Sequence, residues 1–133
     1  MDIKEYWATM KKIQDNLLEF LESSDDFENT LKQFTDFLTE QHIQNELIKE
    51  FLNLISKISA HHQRPTYFIK KIEKILIFLK NDIKSKLLNR SLFNVFQDNK
   101  RILLFLFKNE FLNLDEYIYN QLIRKDDYID YFQ

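Results

Sequence analysis

The stretch TYFIKKIEKILIFLKNDIKSKLL, residues 66–88, decides the fold class of this 133-residue chain. Its apolar residues recur at spacings of three and four, the period of a helix with one buried face. At roughly 100° per residue, Phe68, Ile69, Ile72, Ile75, Leu76, Leu79, Ile83 and Leu87 fall in one arc. Lys70, Lys74, Lys80 and Lys84 fall in the arc beside it. The stretch reads as one long amphipathic helix with a basic flank. In front of it, His61-His62-Gln63-Arg64-Pro65 is the clearest loop of the chain. Pro65 pushes Arg64 out of the helical region, and Thr66 is placed to cap the helix that follows.

The same period extends in both directions. Ile3, Trp7, Met10, Leu17 and Leu21 mark the inward face of a helix over residues 2–22. Ser23-Ser24-Asp25-Asp26, rich in capping residues, breaks it. A second helix runs to about residue 39 with Phe27, Leu31, Phe34 and Leu38 inward. A third, over residues 42–60, rests on Leu47, Phe51, Leu54, Ile55 and Ile58, with an indistinct start because residues 41–46 are polar. Beyond residue 88, Ser91 is placed to cap a helix holding Leu92, Val95 and Phe96. Asp98-Asn99 breaks that helix, and residues 100–108 resume as an almost wholly apolar one. Leu114-Asp115 has the form of a staple and cap before a helix reaching residue 124, and Asp126 or Asp127 would start another. The expectation is one all-α domain over residues 1–133: six to seven antiparallel helices, as a helical bundle or a short α-solenoid.

Absences narrow the function. The chain has no Gly, no Cys and one Pro. Glycine lets backbone approach a phosphate closely and reach positive φ without strain, so P-loop, dinucleotide-binding and nucleophile-elbow motifs are excluded. The lack of Cys removes disulfide frameworks, thiolate metal sites and Cys nucleophiles, and fits an intracellular, cytoplasmic setting. Charges run through the first residues, which argues against a signal peptide. The most apolar run, residues 102–107, is far shorter than the roughly 20 residues a membrane span needs.

The polar residues that might carry chemistry have simpler explanations. His61 and His62 are adjacent and diverge in an ordinary loop, His42 is distant, and no metal-binding spacing joins them. Asp25-Asp26 and Asp126-Asp127 sit where helix N-termini are expected, so capping accounts for them ahead of acid–base work. Ser23 and Ser24 read the same way. No catalytic residue, cofactor or metal ligand is assigned, and the chain is expected not to be an enzyme. Phe105, Phe107, Phe111 and Leu112 read as core, or as an interaction surface if part of the patch stays exposed.

Charge is the one uneven feature. Residues 1–63 carry a net −6, residues 64–101 a net +7 and residues 102–133 a net −3. A basic middle would meet nucleic acid or an anionic membrane, with Lys70, Lys74, Lys80 and Lys84 as the candidate partner surface. Lys outnumbers Arg, basic and aromatic residues interleave little, and the pI is near 5.9. A solvated lysine face is therefore the favoured reading of the run.

Several segments carry a family resemblance: LLEFLE at 17–22, LNLISKIS at 52–59 followed by HHQR, KIEKILIFLKNDIK at 71–84, LFNVFQDNKRILLFLF at 92–107 and LDEYIY at 114–119. In this order they resemble the N-terminal region that precedes the repeats in a large family of ankyrin-repeat proteins from parasitic protists. NKRILLFL is the most specific part. The resemblance implies an all-helical domain leading into a repeat array. It also implies an ankyrin-like helix pair over residues 92–114 and a protein as partner, and no catalytic residues. The chain departs from the family's pattern in lacking the Gly-containing turns of consensus repeats. The leading expectation is a protein–protein interaction or scaffold domain. The alternative is a binder of nucleic acid or anionic lipid through residues 64–101.

Overall fold

Side-chain caps set where several helices start. In the computed structural model, which describes residues 2–23, 27–60, 65–125 and 128, the Asp2 carboxylate accepts the Glu5 N–H at 2.8 Å. This opens α1 (Ile3–Glu22), which buries Ile13, Leu17, Phe20 and Leu21. Ile3 and Trp7, expected to face inward, are 76% and 65% exposed, because the first two turns of α1 carry the apolar stripe past the core. α2 (Phe27–Glu40) packs on α1, with the Phe20 and Phe34 rings stacked 5.0 Å apart.

The third helix starts differently from its sequence pattern. His42 takes a left-handed conformation (φ 58°), and a π-helical turn, Ile43–Leu47, leads into α3 (Ile48–Ser59). The wider turn inserts a residue into the helical repeat. Ile43, Leu47 and Ile48 are all buried, although the polar stretch around them hid the start of the helix in the sequence.

The long helix of residues 66–88 is two helices, α4 (Thr66–Phe78) and α5 (Lys80–Lys86), meeting at Leu79. The Leu79 N–H is shared between the carbonyls of Ile75 and Leu76, a local tightening. The two halves then pack on different neighbours: α4 on α1 and α2, α5 on α3 and the π-turn. Phe68, Ile69, Ile72, Ile75, Leu76, Leu79 and Ile83 are buried as the wheel places them, and Leu87 partly so. Pro65, not Thr66, holds the N-cap position, with no side-chain cap bond.

The last part is stapled by amides. α6 (Asn89–Phe96) begins two residues before Ser91, α7 spans Lys100–Lys108 and α8 spans Glu116–Leu122. Asn99 accepts the Ile102 N–H and donates to the Ser59 carbonyl and hydroxyl, so one side chain caps α7 and holds the end of α3. Asn89 donates to the Asn113 carbonyl and to Asp115, and accepts the Asn113 N–H. Asp115 caps α8 through the Ile118 N–H, as its position in sequence indicates. α7 closes with Glu110 left-handed (φ 63°), the Phe111 N–H on the Leu106 carbonyl and the Glu110 N–H on that of Phe107. That is the bonding pattern of a Schellman cap.

Among the described residues the chain is all-helical, with eight α-helices rather than six or seven, and no strand. The difference comes from the break at Leu79, which makes two helices of residues 66–88. One contiguous apolar core joins every helix. The helix expected after Asp126 and the loop of residues 61–64 lie outside the described residues.

Two corners thus hold left-handed residues that are not glycine. A left-handed Cβ costs about 1–2 kcal/mol, against about 0.5–1 kcal/mol for the extra unfolded-state entropy of glycine. His42→Gly and Glu110→Gly are each expected to raise unfolding free energy by about 0.5–1 kcal/mol. Urea denaturation with unchanged m-values checks this.

Candidate functional site

Among the described residues one lysine, on α4, does not reach solvent. Lys71 is 4% exposed, and its ammonium donates to the carbonyls of Phe20 (2.8 Å) and Ser23 at the C-terminal end of α1. That end carries the negative pole of the helix dipole, which a cation stabilises. The same Nζ lies 5.1 Å from the Phe20 ring centroid and 5.6 Å from that of Tyr67. The sequence reading missed Lys71, which sits at the edge of the lysine arc. Its only sign was a position between the core arc and the basic flank.

Beside Lys71, the outer side of α4 carries Tyr67, Lys70, Lys74, Ile77 and Phe78, all exposed. Tyr67 is 51% exposed. Tyr67, Lys70 and Lys74, with Glu73 and Phe27 from the first turn of α2, line an open cavity of about 340 Å³. Lys70 and Lys74 make no hydrogen bond or ion pair among the described residues.

The other two candidate lysines do different work. Lys80 is half-buried with its ammonium 5.4 Å from the Phe111 ring centroid. Lys84 donates to the Glu110 carbonyl at 3.0 Å, bracing the left-handed corner of α7. Further basic groups of the middle segment also lie on rings: the Arg90 guanidinium is 4.0 Å from the Tyr117 centroid and Lys100 is 5.8 Å from that of Tyr128. The structure therefore divides the basic run. Lys70 and Lys74 point outward, while Lys71, Lys80 and Lys84 hold helices together.

The remaining sequence candidates stay apart. His42 is exposed at its corner, and His61, His62, Asp25, Asp26, Asp126, Asp127 and Ser24 lie outside the described residues. Ser23 ends α1, its N–H on the Phe20 carbonyl. Among the described residues no group of three or more His, Cys, Asp or Glu could hold a metal ion, and no helix is long and apolar enough to cross a membrane. Phe111 and Leu112 are buried, whereas Phe105 and Phe107 are partly so and pack on the core.

Two further clefts lie among the described residues. One of about 210 Å³ between α1 and α2 is lined by Asn16, Glu19, Gln33 and phenylalanines, and one of about 150 Å³ lies beside Asn89 and Phe111. The pKa of Lys32 is raised by its hydrogen bond to Asp36 one turn on, and that of Asp115 is lowered by the Ile118 N–H, with Asn89 and Arg90 adding to it. Both shifts belong to surface pairing and capping.

No protein-family model matches the chain, and no curated protein or solved structure matches it.

The lowered Asp115 pKa gives a signed pH effect. The unfolded carboxyl binds its proton near the ordinary value of 3.8, the folded one only at lower pH. Between the two, the unfolded state holds more protons, so stability falls as pH drops through this window. Asp115→Asn keeps a cap acceptor without titrating there. Its denaturation midpoint is expected to fall less than that of the unsubstituted chain when pH is lowered from 5 to about 3.

Proposed function

We propose that the chain is a non-enzymatic protein–protein interaction or scaffold domain that binds its partner on the outer face of α4. One observation carries this reading. Tyr67, Ile77 and Phe78 are exposed on the same face as Lys70 and Lys74, which make no hydrogen bond or ion pair among the described residues. Large apolar side chains grouped on a surface mark contact sites, whereas scattered ones need no explanation. Aromatic residues beside cations are also the composition of interface hot spots.

The wider placement, as the N-terminal part of an ankyrin-type scaffold, is supported by the order of α6, an Asn99-capped turn and the apolar α7. That order fits a degenerate ankyrin helix pair, with stacked helices in a short solenoid. A cysteine-free chain suits an intracellular scaffold.

The second reading is binding of nucleic acid or anionic lipid through residues 64–101. It is weaker because Lys71, Lys80, Lys84, Arg90 and Lys100 lie on carbonyls or rings of their own chain. Phosphate affinity grows with the number of cations that reach the backbone.

The test compares proteins captured by the intact chain with those captured by Tyr67→Ser/Phe78→Ser, both first matched for helicity and thermal midpoint. A partner lost from the variant, with affinity down about tenfold or more in direct titration, is the expected result. Equal capture by both moves the site off α4. Binding to an oligonucleotide that weakens steeply with salt favours the second reading.

A further inference from the structure

We infer that the occupant of the α4 face is an acidic amphipathic helix of a partner protein. Its apolar anchor would enter between Phe27 and Tyr67, and its carboxylates would meet Lys70 and Lys74. This rests on the interaction reading above and names the chemistry of the partner.

Backbone accounting selects a helix. The face is helical, and beyond the first turn the backbone N–H groups of α4 are taken up within the helix. A strand-like peptide gains affinity by main-chain bonds to a sheet edge, and no strand exists among the described residues to offer one. A helix satisfies its own backbone and needs only side-chain contacts, the groove mode of recognition.

Shape selects one large anchor. The cavity of about 340 Å³ has the Phe27 and Tyr67 side chains in its wall and lysines beside them. It lies at the small end of the range for binding pockets, roughly 300–1,000 Å³, which suits a single aromatic or large aliphatic side chain. Ile77 and Phe78, two to three turns along α4, extend the apolar contact.

Charge selects the rest. Lys70 and Lys74 stand one helical turn apart, so carboxylates one turn apart on the partner face both. Glu73, half-buried in the same cavity wall, repels an acidic group brought close to it and so limits the approach. A second copy of this chain through the same face would set lysines against lysines, which like-charge repulsion disfavours. Lys71 adds rigidity from beneath, its ammonium against the Tyr67 ring, so the wall of the cavity is in place before binding.

The experiment sorts a displayed library of amphipathic helical peptides on the intact chain. Winning peptides are then titrated against Lys70→Glu/Lys74→Glu and Tyr67→Ser chains that retain helicity. A phosphatidylserine vesicle and a single-stranded oligonucleotide run as separate arms. The expected winners carry Asp or Glu one turn apart beside Trp, Phe or Leu. They lose about tenfold in affinity on either variant, and a peptide with Lys in place of its acids recovers binding to the charge-reversed chain. Winners without acidic residues, or winners indifferent to both variants, overturn the inference while leaving the chain an interaction module that binds elsewhere. Absence of any peptide winner overturns it too. If the vesicle or oligonucleotide then binds through Lys70 and Lys74, the interaction reading falls with it.

Discussion

A buried ammonium ties α4 to the end of α1. Lys71 reaches the carbonyls of Phe20 and Ser23, 51 and 48 residues away in the chain, and closes the last turn of α1 against α4. Removing a cation from water costs several kcal/mol, which here is offset by charge-assisted hydrogen bonds, the α1 dipole and two aromatic rings. Once that side chain is committed inward, the rotation of α4 about its axis is set. The apolar arc from Phe68 to Leu76 enters the core, and Tyr67, Lys70, Lys74, Ile77 and Phe78 are left outside. The candidate surface is thus what the buried apolar arc and Lys71 together leave outside.

The corners show how a chain without glycine turns. Asparagine amides do much of the work: Asn99 spans α7 and α3, and Asn89 spans α6 and the segment before α8. An amide offers two donors and an acceptor, so one side chain can satisfy orphan groups on two helices. Where a positive φ was unavoidable, His42 and Glu110 carry it. At Glu110 the strain is braced by Lys84 on its carbonyl and by Phe105 against Phe111, with ring centroids 5.9 Å apart.

These corners also sort the basic charge. The tightening at Leu79 sends α5 toward α3 instead of along α4. Lys80 and Lys84 come to Phe111 and Glu110, while Lys70 and Lys74 stay on the outer face. A net charge of +7 over residues 64–101 therefore overstates the charge that a partner meets.

Much of the fold was legible in the residues. Periodicity located the apolar arc from Phe68 to Ile83, and residue type the cap at Asp115 and the breaks near Ser23 and at Asp98-Asn99, because these depend on contacts within a few residues. It failed at Ile3 and Trp7, whose stripe is continuous with the helix but runs past the core. It failed also at Ile43, where a π-turn shifts the phase of the helix, and at Leu79, where no Pro or Gly announces the break. The candidate surface was half legible: Lys70 and Lys74 were named, but Phe27 and Tyr67 belong to it only because α2 and α4 pack together. The sequence by itself determined an all-helical chain, most of its buried faces and the types of residue at its corners, since those follow from local spacing and side-chain chemistry. Only the tertiary structure decided which lysine is buried, which are spent on rings and carbonyls, and which face is left open, since helix rotation and partner choice depend on contacts dozens of residues apart.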